Sequence, residues 1–139
     1  MAKSSRVVLF ALIKDNKILL EKRPVKGFDK HLYLIPGGAI NKDGEDLENA
    51  LKREIMEELG IIPVEFKLLT DEDIPGLNKN ILKPFVVNSW QGRIPKFILD
   101  KKDPYPLEWI EIDKALNMLP IEPTKKIIEI LKKFLSKNL

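Results

Sequence analysis

Glu54, Glu57 and Glu58 lie in the segment LKREIMEELG, Leu51 to Gly60, at the spacing i, i+3 and i+4. On a helix this spacing gathers three carboxylates on one side, an arrangement that destabilises the helix unless a positive charge sits among them. The apolar stripe of the same helix is Leu47, Ala50, Leu51, Ile55 and Leu59. At about 100° per residue, Glu54 and Glu58 fall beside or inside that stripe and Glu57 flanks it. A merely solvated acidic face would lie opposite the stripe, so these carboxylates are aimed at the body of the protein. Oxygen ligands without histidine or cysteine favour a hard divalent cation, Mg²⁺ or Mn²⁺. Mg²⁺ usually takes one or two protein carboxylates and leaves its other positions to water and substrate phosphates, so the expected substrate carries phosphate.

The elements that must position these groups fit in one domain, since 139 residues suffice for one sizeable core and not comfortably for two. Hydrophobic residues at 44% against 32% charged place the chain in the globular range rather than the disordered or membrane range. The absence of cysteine excludes disulfides, thiolate metal sites and cysteine nucleophiles, and suits a reducing cytoplasm. No stretch approaches the roughly 20 apolar residues of a membrane span, and the run Val7 to Ile13 reads as a strand rather than a signal peptide. The net charge of +3 comes from scattered lysines, whereas nucleic-acid binding would want a clustered basic stripe; a modest excess suits attraction of a small anion.

Val7 to Ile13 and Ile18 to Lys22 predict a hairpin turning at Asp15-Asn16. Leu32 to Ile35 predicts a strand that runs into a loop at Pro36-Gly37-Gly38. The glutamate helix should start near Asp46 and end at Leu59, with Gly60 as the left-handed residue beyond it. Strands are expected over Ile62 to Leu69, Pro84 to Trp90 and Leu107 to Ile112, separated by two long connections, DEDIPGLNKN and QGRIPKFILDKKDPYP. A short helix should follow Asp113, and a last helix should open with Thr124 as its N-cap and bury Ile127, Ile128, Leu131, Phe134 and Leu135. This mixed order predicts an α/β fold with a mixed sheet flanked by helices, not a doubly wound parallel one.

The stretch GGAINKDGEDLENALKREIMEELGI, Gly37 to Ile61, resembles the Nudix box, the signature of hydrolases that cut a nucleoside diphosphate linked to another group. After Glu45 come seven residues, and then Arg53 to Ile61 matches the family's ending at every position. One departure is that six residues, Ala39 to Gly44, separate Gly38 from Glu45 where the family usually has five. The resemblance implies a single Nudix hydrolase domain over 1–139, an α/β/α sandwich with a central mixed β-sheet. It implies that Glu54, Glu57 and Glu58, with the Gly38 carbonyl, hold Mg²⁺ or Mn²⁺, and that Arg53 orients the cluster through Glu45. It also implies that water attacks a diphosphate bridge, with the general base drawn from Glu54, Glu57, or Asp100 or Asp103 in the ILDKKDPYP loop.

Beyond the box, EKRP after the second strand, an apolar residue before PGG, a W-x-G and a later EW resemble family members that hydrolyse nucleoside triphosphates, including oxidised guanine nucleotides. On that pattern Arg23 contacts substrate phosphate, Ile35 lines the base pocket beside Gly37 and Gly38, and Thr124 stands where a purine-reading asparagine is expected. ADP-ribose is the nearest rival substrate, on the strength of Ile74-Pro75-Gly76, and a dinucleoside polyphosphate comes after it. A non-catalytic nucleotide-binding Nudix module would have lost the glutamates or Arg53, and this chain keeps all of them. The reading expects a nucleotide partner, no nucleic acid, no membrane, and a monomer or homodimer. His31 reads as a bystander, and Trp90 and Trp109 as packed sheet residues.

Overall fold

The computed structural model describes residues 5–24, 31–40, 44–76, 79–99, 102, 104–119 and 122–137. Strands β1 (Arg6–Lys14) and β2 (Lys17–Pro24) form the expected hairpin. Asp15 and Asn16 take φ of 52° and 62°, two successive left-handed residues that make a turn matched to the strand twist. β3 (His31–Leu34) pairs with β2, and β4 (Gly37–Ala39) pairs with β1. Helix α1 (Leu47–Leu59) follows, then β5 (Ile62–Leu68), β6 (Ile74–Pro75), β7 (Ile81–Gln91), β8 (Leu107–Glu111), α2 (Ile112–Met118) and α3 (Glu122–Lys137). The sheet runs β3-β2-β1-β7-β5, with β4 on β1, β6 on β7 and β8 on β2. The β1–β7 pairing is parallel and the others are antiparallel, so the sheet is mixed, as expected.

β1 builds both sides of the sandwich because successive side chains leave opposite faces of a strand. Val8, Phe10 and Leu12 pack with Ala50, Leu51 and Ile55 of α1. Leu9 and Ala11 pack on the other side with Ile127, Ile128 and Leu131 of α3. The ends of α1 are those the sequence encodes. The Asp46 carboxylate accepts from the Asn49 amide at 2.8 Å, and Gly60, at φ 67°, donates its N–H to the carbonyls of Ile55 and Met56.

Four local expectations need correction. The loop expected at Gly37-Gly38 is strand β4, because both glycines register against Leu9 and Val8 of β1. The connection DEDIPGLNKN contains β6, where Ile74 pairs with Leu82. β7 begins at Ile81 rather than Pro84; Pro84 stays in the strand, and its carbonyl accepts from the Leu69 amide at 2.8 Å. Thr124 is not an N-cap. α3 starts at Glu122, since a proline such as Pro123 is tolerated in a first turn, and this places Thr124 inside the helix with 6% exposure.

Candidate active site

α1 presents its acidic residues as the helical spacing requires. Glu54 and Glu58 are buried at 6% and 5% exposure among Leu51, Ile55 and Leu59, whereas the Glu57 side chain is 43% exposed. Arg53 ties the group together. Its Nε and Nη2 donate to the two carboxylate oxygens of Glu45 at 2.9 and 3.0 Å, a two-point pairing that suits the planar guanidinium. Its Nη1 donates to Glu54 at 2.8 Å and lies 3.4 Å from Glu57, while Nη2 also reaches the Ala39 carbonyl at 3.3 Å. The hydrogen bonds that Arg53 donates to Glu45 raise its pKa still further above its ordinary value; burial opposes this and Glu54 adds to it. The extra residue between Gly38 and Glu45 therefore leaves Glu45 within reach of Arg53.

The three glutamates do not close on one point. Among the described residues, no three carboxylate or imidazole side chains are gathered as a ready cation cage. Arg53 Nη1 lies between Glu54 and Glu57, and like charges around a guanidinium fan apart. The donors nevertheless suit Mg²⁺, which needs only one or two carboxylates beside water and phosphate. Gly38 adds a cradle. A Cβ on Gly38 would lie 2.0 Å from Glu54 Oε2, so any larger residue there would push that carboxylate aside.

Gly37, the preceding residue of β4, faces a second feature. A cavity of about 390 Å³ is lined by Gly37, Glu21, Arg23, Ile35, Asn80 and Thr124, with Leu9 and Leu82 among its apolar walls. Of the predicted substrate residues, Arg23, Ile35, Gly37 and Thr124 thus share one cavity, and Gly38 joins it to Glu54. Arg23 is held by Glu21, whose two oxygens lie 3.3 and 3.4 Å from Nη2, and by Tyr105, whose ring centre lies 4.8 Å from the guanidinium carbon. Arg23 Nε is buried with no hydrogen-bond partner among the described residues.

Asp100 and Asp103, the candidate bases outside α1, lie outside the described residues. The described chain before them ends at Leu99, whose amide donates to the Glu58 carbonyl at 2.8 Å. His31 does not line the cavity. Trp90 and Trp109 stack on each other with centroids 6.1 Å apart, and both pack on the α1 side of the sheet, as expected of sheet residues. Sequence reading missed Glu21 and Tyr105. Glu21 left a signal: it is the first charged residue after the apolar run Ile18-Leu19-Leu20, two positions before Arg23 and therefore on the same strand face. A larger cavity of about 580 Å³ lies between Ile13, Ile112 and Phe134, and its charged lining is the Asp113–Lys132 pair at 2.7 Å. It contains none of the expected site residues.

The model of the NUDIX domain matches residues 3–132. An 8-oxo-dGTP diphosphatase from Buchnera aphidicola subsp. Schizaphis graminum is 32% identical over 134 residues, spanning 96% of this chain and 97% of that protein. An ADP-ribose pyrophosphatase from Methanocaldococcus jannaschii is 50% identical over 56 residues, 40% of this chain and 32% of its own length. The solution structure of the E. coli ORF135 protein superposes with a TM-score of 0.77 at 25% identity, over 97% of this chain and 93% of that one. No helix among the described residues is long and apolar enough to cross a membrane. The expected sandwich, the Arg53-centred box and the near full-length family match converge, and the chain belongs to the Nudix family of hydrolases.

Proposed function

We propose that this chain hydrolyses a diphosphate linkage in a nucleoside triphosphate, with an oxidised guanine nucleotide among its candidate substrates. The observation that carries the reading is the Gly37–Gly38 step of β4. One glycine lines the cavity that holds Arg23, Ile35 and Thr124, and the next backs the Glu54 carboxylate. A nucleotide spanning this step has its base against Ile35 and its phosphates beside α1. The full-length similarity to an 8-oxo-dGTP diphosphatase supports the same substrate class.

Glu54, Glu57, Glu58 and the Gly38 carbonyl are the groups that would hold the divalent cation, Mg²⁺ or Mn²⁺. When bound, it supplies charge to the phosphates and makes water more acidic. Arg53 fixes Glu54 and leaves Glu57 at the solvent edge, where its carboxylate can take a proton from water. Arg23, anchored by Glu21 and Tyr105, offers its guanidinium to phosphate. Asp103 is kept as an alternative base.

A second reading, ADP-ribose as substrate, draws on the shorter match to the M. jannaschii enzyme and on Gly76, which ends the Ile74-Pro75-Gly76 segment and lines the same cavity. The deciding experiment is turnover, with Mg²⁺, of nucleoside triphosphates, oxidised purine nucleotides, ADP-ribose and dinucleoside polyphosphates by the wild type and by Glu57→Gln. The expected result is release of pyrophosphate from a triphosphate, reduced at least about 100-fold in the variant. Turnover of ADP-ribose alone favours the second reading, and silence across the panel with nucleotide binding retained overturns the enzyme reading.

A further inference from the structure

From Ile81 to Val87, β7 is apolar at every position except Lys83, a residue that is 7% exposed and that the hydrolytic chemistry does not use. Register sets it opposite Val8 of β1, which packs against α1, so Lys83 stands on the α1 face of the sheet. Its Nζ donates to Asp73 Oδ1, and the Asp73 side chain is 66% exposed. A buried ion pair is weak support for stability, because desolvating the ammonium offsets the attraction, and an apolar residue of similar volume serves a fold as well or better. The value of this pair therefore lies in what it holds in place.

Asp73 leads directly into β6, whose two residues pair Ile74 with Leu82 and Pro75 with Ile81. Continued one step, that register sets Asp73 opposite Lys83. Successive side chains thus grip both faces of β7: Asp73 holds Lys83 on the α1 face, and Ile74, 1% exposed, packs in the core on the α3 face with Leu82. The ladder itself is short, and Pro75 brings no N–H to it. A second tie on the same turn, Lys126 to Glu72 at 3.5 Å, joins side chains 54% and 68% exposed and is correspondingly weak. Beyond Pro75, the Gly76 amide donates to the Asn80 carbonyl at 2.8 Å, and Gly76, Asn80 and Leu82 line the cavity that also holds Ile35 and Thr124. We infer that Lys83 is a positioning residue for the nucleotide: by holding Asp73 it fixes β6 and keeps the Gly76–Asn80 wall of the cavity in its binding arrangement. The inference rests on the proposed placement of the base in this cavity and adds the residue that maintains the wall from the opposite face of the sheet. Lys83 does not line the cavity, so its effect reaches the ligand through β6.

The test is equilibrium binding, by calorimetry in metal-free buffer with chelator, of dGMP, dAMP, dCMP and dTMP to the wild type, Lys83→Met, Asp73→Ala and the double variant. A site that is in its binding arrangement for only a fraction of the time loses affinity by that fraction. Lys83→Met should therefore weaken the tightest-bound nucleotide at least about fivefold, while its urea midpoint stays at or above that of wild type. Exchange of the Gly76 amide should accelerate by at least about fivefold, with the Leu51 and Ile55 amides of α1 unchanged. The double variant should lose no more affinity than Lys83→Met, because the two side chains form one contact. Asp73→Ala, a change at an exposed side chain, provides the comparison if Lys83→Met does not fold. Unchanged affinity or unchanged Gly76 exchange in the folded variant, additive losses in the double variant, or no binding of any of the four nucleotides by wild type overturns the assignment. A purely structural role would move the urea midpoint and leave nucleotide affinity of the folded protein as it is. Because the measurement needs neither metal nor turnover, a wild type that binds nucleotide and hydrolyses none removes the proposed reaction and leaves the result on Lys83 standing.

Discussion

Replacing Arg53 with lysine keeps the positive charge and removes the fork, so it separates charge from geometry at the centre of the site. Arg53 makes three short contacts, two to Glu45 at 2.9 and 3.0 Å and one to Glu54 at 2.8 Å. A lysine ammonium can keep one of them. Charge-assisted hydrogen bonds contribute about 1.5–3 kcal/mol each when well shielded, and exposed ion pairs about 1 kcal/mol or less. Arg53 lies between these limits, with a side chain 27% exposed and partners at 14% and 8%. Losing two contacts at about 1 kcal/mol each predicts that Arg53→Lys lowers unfolding free energy by about 2 kcal/mol, read from urea titration at constant slope. Freed from Nη1, Glu54 shifts against Gly38, and a misplacement of order 1 Å costs about 100-fold in kcat. Glu45→Gln, made alone and with Arg53→Lys, completes a cycle whose coupling should be at least about 1 kcal/mol. A lysine variant within about 0.5 kcal/mol and threefold of wild type would refute the claim that the guanidinium fork organises these carboxylates.

Gly38→Ala should lower activity by at least about tenfold, because the new methyl would lie 2.0 Å from Glu54 Oε2; steady-state turnover of the substrate identified for wild type checks this, with far-UV dichroism confirming the fold. Ile55→Ala removes a fully buried side chain between α1 and β1 and should cost about 2–4 kcal/mol in denaturant titration, with KM unchanged in whatever fraction remains folded.

The box was legible in the sequence because its spacing and its helical phase carry independent information. Glu54 and Glu58 were expected on the buried side of α1 and Glu57 at its flank, and burial follows that order. The Arg53–Glu45 pairing was likewise expected, since a loop can absorb one more residue at little cost. Chain ends governed by backbone chemistry, at Asp46, Gly60 and the Asp15-Asn16 turn, came through for the same reason. The errors fall where tertiary pairing overrides local signals. Gly37 and Gly38 have low strand propensity, and they are a strand because β1 presents a free stretch of backbone to them. Pro84 was expected to open its strand, but its missing N–H does not stop β7 from starting at Ile81 and running through it. Tyr105 was not legible as a partner of Arg23 because that contact depends on how the chain beyond β7 returns to the sheet, which no local pattern encodes.

The parallel pairing of β1 with β7 also bears on how the molecule assembles. Each residue of β1 from Arg6 to Leu12 meets a partner more than half the chain away in sequence. The hairpin with β2 can close early, but the other edge of β1 must wait until most of the polypeptide is available, and such long-range closure slows folding. Among the described residues β1 is the strand on which β4 pairs, so the glycine step beneath Glu54 becomes fixed only once that supporting strand is itself secured. A chain interrupted before β7 would carry the whole glutamate helix and still lack the platform that makes it a site.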